Sequence, residues 1–119
     1  MSLQAFSSSF INKFIYLKRA FGNQPFRLLD IGAGNHSATK VKRVFPQCEY
    51  HGVDLERDYN NSEEDFKRMT AFYEMDLTQL DFSPIPDNYY DAIVMAHVIE
   101  HLHNGDAVIR GLLPNLKSG

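Results

Sequence analysis

The residues best placed to do chemistry lie in two short stretches, Asp30-Ile31-Gly32-Ala33-Gly34 and Gly52-Val53-Asp54-Leu55. Gly32 and Gly34 have no side chain to hold a ligand off the backbone, and a helix starting just after them offers free N–H groups. A turn of this kind at the carboxyl end of a parallel strand is where α/β sheets receive their ligands. Asp54 follows Gly32 by 22 residues. At that interval an acid ending the next strand can accept both hydroxyls of an adenosine ribose. A glycine turn serving only the core would leave this coincidence unexplained.

The spacing suits both a nicotinamide dinucleotide and S-adenosylmethionine, so the chemistry at the turn has to separate them. A dinucleotide sets its anionic pyrophosphate on the helix N-terminus, where a carboxylate at the tip of the strand repels it. Asp30 holds that place, and Ser37 stands where the third dinucleotide glycine belongs. S-adenosylmethionine carries an ammonium and a sulfonium and no phosphate, so acids around the turn favour it. An NAD-dependent oxidoreductase is the disfavoured alternative.

The elements that must position these residues follow from periodicity. Phe6, Phe10, Phe14, Leu17 and Phe21 recur every three or four positions, which predicts an N-terminal amphipathic helix over residues 1–22, ending at Gly22 and packed on the core. Phe26–Ile31 reads as a buried strand, and Ala38, Val41, Val44 and Phe45 as a helix closed by Pro46. Glu49–Leu55 reads as the second strand, 63–70 as a short helix after a polar loop, and Ala71–Met75 as the third strand. Residues 81–88, with Pro84 and Pro86, are a connection, and Tyr90–Ala96 is the fourth and most apolar strand. A last helix starts near Gly105 with Asn104 as candidate cap. Strands alternating with helices predict an α/β fold, a Rossmann-like parallel sheet flanked by helices.

With 119 residues, 44% of them hydrophobic and 23% charged, the chain suits one ordinary core. The net charge of −3 is unevenly spread, because Asp30 is the one acid in residues 1–45. Of the seven bases there, Lys13, Lys18, Arg19, Lys40, Lys42 and Arg43 stand at helical spacings and read as a solvated face, so nucleic acid is not the expected partner. No stretch has the length of a membrane span and no secretory pattern opens the chain, so a cytoplasmic location is expected. Cys48 has no second cysteine to pair with and reads as a small buried filler.

The motifs Asp30-Ile31-Gly32-Ala33-Gly34, Gly52-Val53-Asp54-Leu55, Asp76-Leu77 and Tyr90-Asp91-Ala92-Ile93-Val94 resemble successive motifs of class I S-adenosylmethionine-dependent methyltransferases, over nearly the whole chain. The resemblance implies a sheet in the order 3-2-1-4, truncated before the fifth strand, so that 1–119 is a methyltransferase domain incomplete at its C-terminus. It also implies that Asp30, Gly32, Ala33 and Gly34 line the methionine portion, that Asp54 binds the ribose, and that Asp76 meets the adenine amino group between Leu55 and Leu77. His36 stands where many relatives have a third glycine.

Ala96-His97-Val98-Ile99-Glu100-His101 resembles the stretch beside the transferred methyl in small-molecule methyltransferases. His97 or His101 is the candidate base for a hydroxyl acceptor, the alternative being a pocket wall or a surface position. His97, Glu100 and His101 share one helical face, a weak metal pattern, and no metal is assigned. No Asn-Pro-Pro-Tyr-like stretch follows, which argues against exocyclic base amines and glutamine amides as acceptors and leaves a small molecule. An open edge on the fourth strand implies self-association. A non-catalytic cofactor-binding or dimerisation module with the same fold is the second alternative.

Overall fold

The computed structural model describes residues 2–6, 10–57, 60–96 and 102–118. Its strands are β1 (Ser2–Phe6), β2 (Phe26–Ile31), β3 (Cys48–Asp54), β4 (Ala71–Glu74) and β5 (Ala92–Ala96). Its helices are α1 (Phe10–Phe21), α2 (Ser37–Val44), α3 (Glu63–Lys67) and α4 (Gly105–Leu112). Every pairing is parallel, and the order across the sheet is β1-β5-β2-β3-β4. Leaving β1 aside, this is the expected order 3-2-1-4.

Successive side chains of a strand point to opposite faces, so each buried strand feeds two layers. On one face Leu28, Tyr50 and Val94 pack with Leu17 of α1 and with Ala38 and Val41 of α2. On the other, Leu29, Ile31, Val53, Ile93 and Met95 pack with Val108 and Leu112 of α4. Phe14 and Phe21 close the first layer, Phe21 stacked on Phe26 at 4.3 Å between ring centroids. Among the described residues no helix is long and apolar enough to cross a membrane.

The amino-terminal element departs from expectation. The helix foreseen over 1–22 begins at Phe10, and Ser2–Phe6 forms β1, pairing with β5 from Ser2 opposite Ala92 to Phe6 opposite Ala96. The unpaired edge of β5 presents a row of N–H and C=O groups, and matching them outweighs the weak helical preference of five residues. The fourth strand is therefore internal, which removes the open edge from which self-association was expected. Leu116 bridges Tyr90 in parallel, and Lys117 N–H donates to the Tyr90 carbonyl at 2.9 Å.

Helix ends follow local chemistry. Gly22 takes φ +59° just past α1, a conformation that suits glycine. Ser62 and Asp65 form a reciprocal capping box on α3. Asn104 occupies the cap position of α4 but makes no side-chain cap; its amide donates to the Thr78 carbonyl at 3.2 Å and ties α4 to the turn after β4.

Candidate functional site

At the end of β2 the chain turns through Gly32, whose φ of +87° lies where only glycine is at ease. The N–H groups of Gly32 and Ala33 donate to the Val53 carbonyl at 2.8 and 3.0 Å. That of Gly34 donates to Asp54 Oδ2 at 3.0 Å. The glycine turn is thus laid against the end of β3, and the two stretches singled out by spacing meet. Asp54 Oδ1 accepts the Leu55 N–H at 2.7 Å, which fixes the carboxylate at the carboxyl edge of the sheet.

Gly52 makes the approach possible. A Cβ added there would stand 2.8 Å from the Ala33 Cβ and 3.3 Å from the Phe72 and Tyr50 rings. Beyond Asp54 the Leu55 side chain is 61% exposed, a large apolar group held in the open beside a carboxylate. Leu77 is buried in the α4 layer, and Asp76 is exposed at the same edge. Asp76 Oδ1 accepts the Thr78 hydroxyl at 2.6 Å and its N–H at 3.0 Å, and these two bonds hold the carboxyl below its usual range. Asp76 is therefore the cap of the 3-10 turn Leu77–Gln79. Ala96 ends β5 at this edge; His97, Glu100 and His101 lie outside the described residues.

Asp30 does not face the open edge. It is fully buried, and Oδ2 accepts the hydroxyls of Ser37 and Tyr50, each at 2.5 Å. Lys13 Nζ reaches both carboxylate oxygens at 3.2 Å and donates to Ser37 Oγ at 2.9 Å. Lys13, expected on a solvated face, is itself fully buried. A carboxylate in an apolar layer needs a counter-charge and hydrogen bonds to be tolerated, and α1 supplies the cation. Burial first, then the neighbouring carboxylate, push the Tyr50 phenol well above its ordinary value, so it donates. Ser37, at the third-glycine position, is part of this cluster.

His36, with φ +60°, adopts the conformation that a glycine in its place would take freely. Its Nδ1 donates to Asp65 Oδ2 at 2.7 Å, and its N–H donates to the Asn60 carbonyl at 3.0 Å. Asp65 Oδ1 accepts the Thr39 hydroxyl at 2.5 Å, and Oδ2 accepts the N–H and hydroxyl of Ser62. Burial alone would raise the Asp65 carboxyl; these bonds outweigh it and hold it at about 2. The loop before α3 is thereby pinned to the glycine turn, a tie that reading the sequence missed.

A cavity of about 360 Å³ opens at the opposite, amino edge of the sheet, beside Phe26, Arg27, Glu49, Asp91 and Lys117. Its charges answer one another, Lys117 with Asp91 at 2.9 Å and Arg27 with Glu49 at 3.9 Å. Ligand chemistry belongs to the carboxyl edge, where the turn and Asp54 are. Among the described residues no three potential metal ligands come together.

A family model described as a methyltransferase domain matches residues 5–119. No curated protein sequence matches the chain. Among solved structures, phosphoethanolamine N-methyltransferase 2 of Haemonchus contortus, in complex with phosphomonomethylethanolamine and S-adenosylhomocysteine, is 24% identical with a TM-score of 0.70 over 96% of this chain and 27% of its own. An S-adenosylmethionine-dependent methyltransferase of Archaeoglobus fulgidus is 22% identical, with a TM-score of 0.59 over 92% of this chain and 49% of its own. The [4+2]-cyclase SpnF is also 22% identical, with a TM-score of 0.71 over 91% of this chain and 41% of its own. The chain thus spans between about a quarter and a half of the length of these structures, and at such identities the likeness establishes the fold. With the family model covering nearly all of it, the chain belongs to the methyltransferase domain family.

Proposed function

We propose that the chain binds S-adenosylmethionine at the carboxyl edge of its sheet and serves an enzyme that transfers the methyl group to a small-molecule acceptor. The observation that carries this reading is the bond from Gly34 N–H to Asp54 Oδ2, which brings a side-chain-free turn and a fixed carboxylate to one edge. The residues present fit the nucleoside end of the cofactor. Asp54 can accept the ribose hydroxyls, the exposed Leu55 offers an apolar face to adenine with Leu77 behind, and Asp76 meets the adenine amino group. The backbone of Gly32, Ala33 and Gly34 underlies the methionine portion, and Ala96 stands beside the methyl. Asp30 fits only as a support beneath the turn, because all its oxygens face buried donors.

S-adenosylmethionine supplies an electrophilic methyl group. What the chain adds is alignment and, for a hydroxyl acceptor, a base to take its proton, the role given to His97 or His101. Against a dinucleotide, repulsion by Asp30 carries less weight once Lys13 balances it. The stronger objection is that the His36 N–H, at the start of α2, is already given to Asn60.

A second reading is that the chain binds the cofactor without spending its methyl, and it is favoured by the likeness to SpnF, a [4+2]-cyclase on this fold. Formation of S-adenosylhomocysteine and methylated product from a set of small amines and alcohols distinguishes the two. Turnover with any acceptor supports transfer; cofactor binding with no turnover supports the second reading.

A further inference from the structure

We propose that Lys13 is a positioning residue of the cofactor site: through Asp30 and Ser37 its ammonium ties α1 to the glycine turn and fixes the backbone beneath the methionine end of the cofactor. The proposal rests on the cofactor reading above. Lys13, Asp30, Ser37 and Tyr50 are all fully buried, so none of them touches a ligand at the edge as the chain stands. Their influence has to pass through the backbone, and a path is present. Lys13 donates to Asp30 and to Ser37 Oγ, Ser37 Oγ donates to Asp30 Oδ2, and the Ser37 N–H donates to the Gly34 carbonyl at 3.2 Å. Gly34 in turn holds Asp54. One ammonium on α1 therefore stands at the root of a chain of bonds that ends on the ribose-binding acid.

The position of Lys13 argues for a purpose beyond docking α1. It lies three residues after Phe10 and four before Leu17, inside the apolar stripe, where an aliphatic side chain would pack without needing a buried partner. A lysine there is matched to Asp30, and Asp30 sits directly before the turn.

The test compares the full chain with Lys13→Met and Ser37→Ala for binding of S-adenosylmethionine and of 5′-methylthioadenosine, the same nucleoside without the amino-acid end. Amide hydrogen exchange at Gly34 and Ser37 is followed in the unliganded proteins. Lys13→Met is expected to weaken S-adenosylmethionine at least about tenfold, to weaken 5′-methylthioadenosine, which keeps only the ribose held by Asp54, by a clearly smaller factor, and to speed exchange at Gly34 and Ser37 while the amides of Leu28 and Val53 hold. Ser37→Ala keeps the ion pair and cuts the path, so it shows the same split should Lys13→Met fail to fold. Unchanged affinities and exchange overturn the proposal, as does parallel weakening of both ligands with faster exchange throughout, which marks a general loss of stability. If the unsubstituted chain binds neither ligand the cofactor reading fails, and the exchange comparison still decides the role of Lys13.

Discussion

The backbone N–H of Gly34 donates to Asp54 Oδ2 across 3.0 Å, although 20 residues separate the two in sequence. The bond makes the glycine turn and the acid after β3 one unit. Asp54 is held by two backbone donors, Gly34 on one oxygen and Leu55 on the other, so its carboxylate is oriented before any ligand arrives. Preorganisation of this kind lowers the ordering cost of binding. It also means that a change on either strand is felt on the other.

Gly52 tests that coupling from below. In Gly52→Ala the new methyl would meet the Ala33 Cβ at 2.8 Å, and neither partner is the end of a flexible side chain. The turn must lift from β3, at an expected cost of about 1–3 kcal/mol. Urea unfolding reads the loss as a lower midpoint at unchanged slope, and cofactor affinity should fall with it. A variant as stable as the parent would show that the turn is not pressed against β3.

Asp65 sets a pH dependence. Its folded carboxyl is held at about 2, below an unfolded value near 3.9. A depressed carboxylate contributes stability that is complete above the unfolded pKa and is lost as pH falls through the folded one. The window is therefore roughly pH 5 to 2, and the amount about 2 kcal/mol. Asp65→Asn should lose about that much at neutral pH and show a flatter decline on acidification, seen by urea unfolding at stepped pH. Equal pH profiles for the two proteins would contradict this.

Leu55 separates binding from folding. With its side chain 61% exposed, Leu55→Ala should change stability by less than about 0.5 kcal/mol. If an adenine ring covers it, the substitution should weaken the cofactor by roughly tenfold, the worth of burying most of an aliphatic side chain. Equilibrium binding and thermal unfolding on one preparation check both halves.

The sheet order was legible because β2 to β5 are short apolar runs, separated by helical patterns and broken at glycine or proline. β1 was not. Ser2–Phe6 continues the spacing of α1, and its partner β5 lies some ninety residues on, beyond anything local pattern can report. Gly34 and Asp54 were singled out by type and interval, and the fold brings them together. That Asp30 faces a buried lysine was not legible, although Lys13 stands in the apolar stripe between Phe10 and Leu17, where a charge calls for a partner. The Ser62–Asp65 box went unread within a polar loop, and its tie to His36 spans 29 residues and needed the fold.

The turn and Asp54 are proposed to form one site for S-adenosylmethionine. The most direct test is calorimetric titration of that cofactor and, separately, of NAD into the 119-residue chain and into Asp54→Ala, with urea unfolding to show that the variant is folded. Saturable binding of S-adenosylmethionine alone is expected, weakened roughly 10- to 100-fold or more in the variant, the worth of hydrogen bonds to a charged group. Binding of NAD in its place, or S-adenosylmethionine binding that Asp54→Ala leaves unchanged, would contradict the proposal.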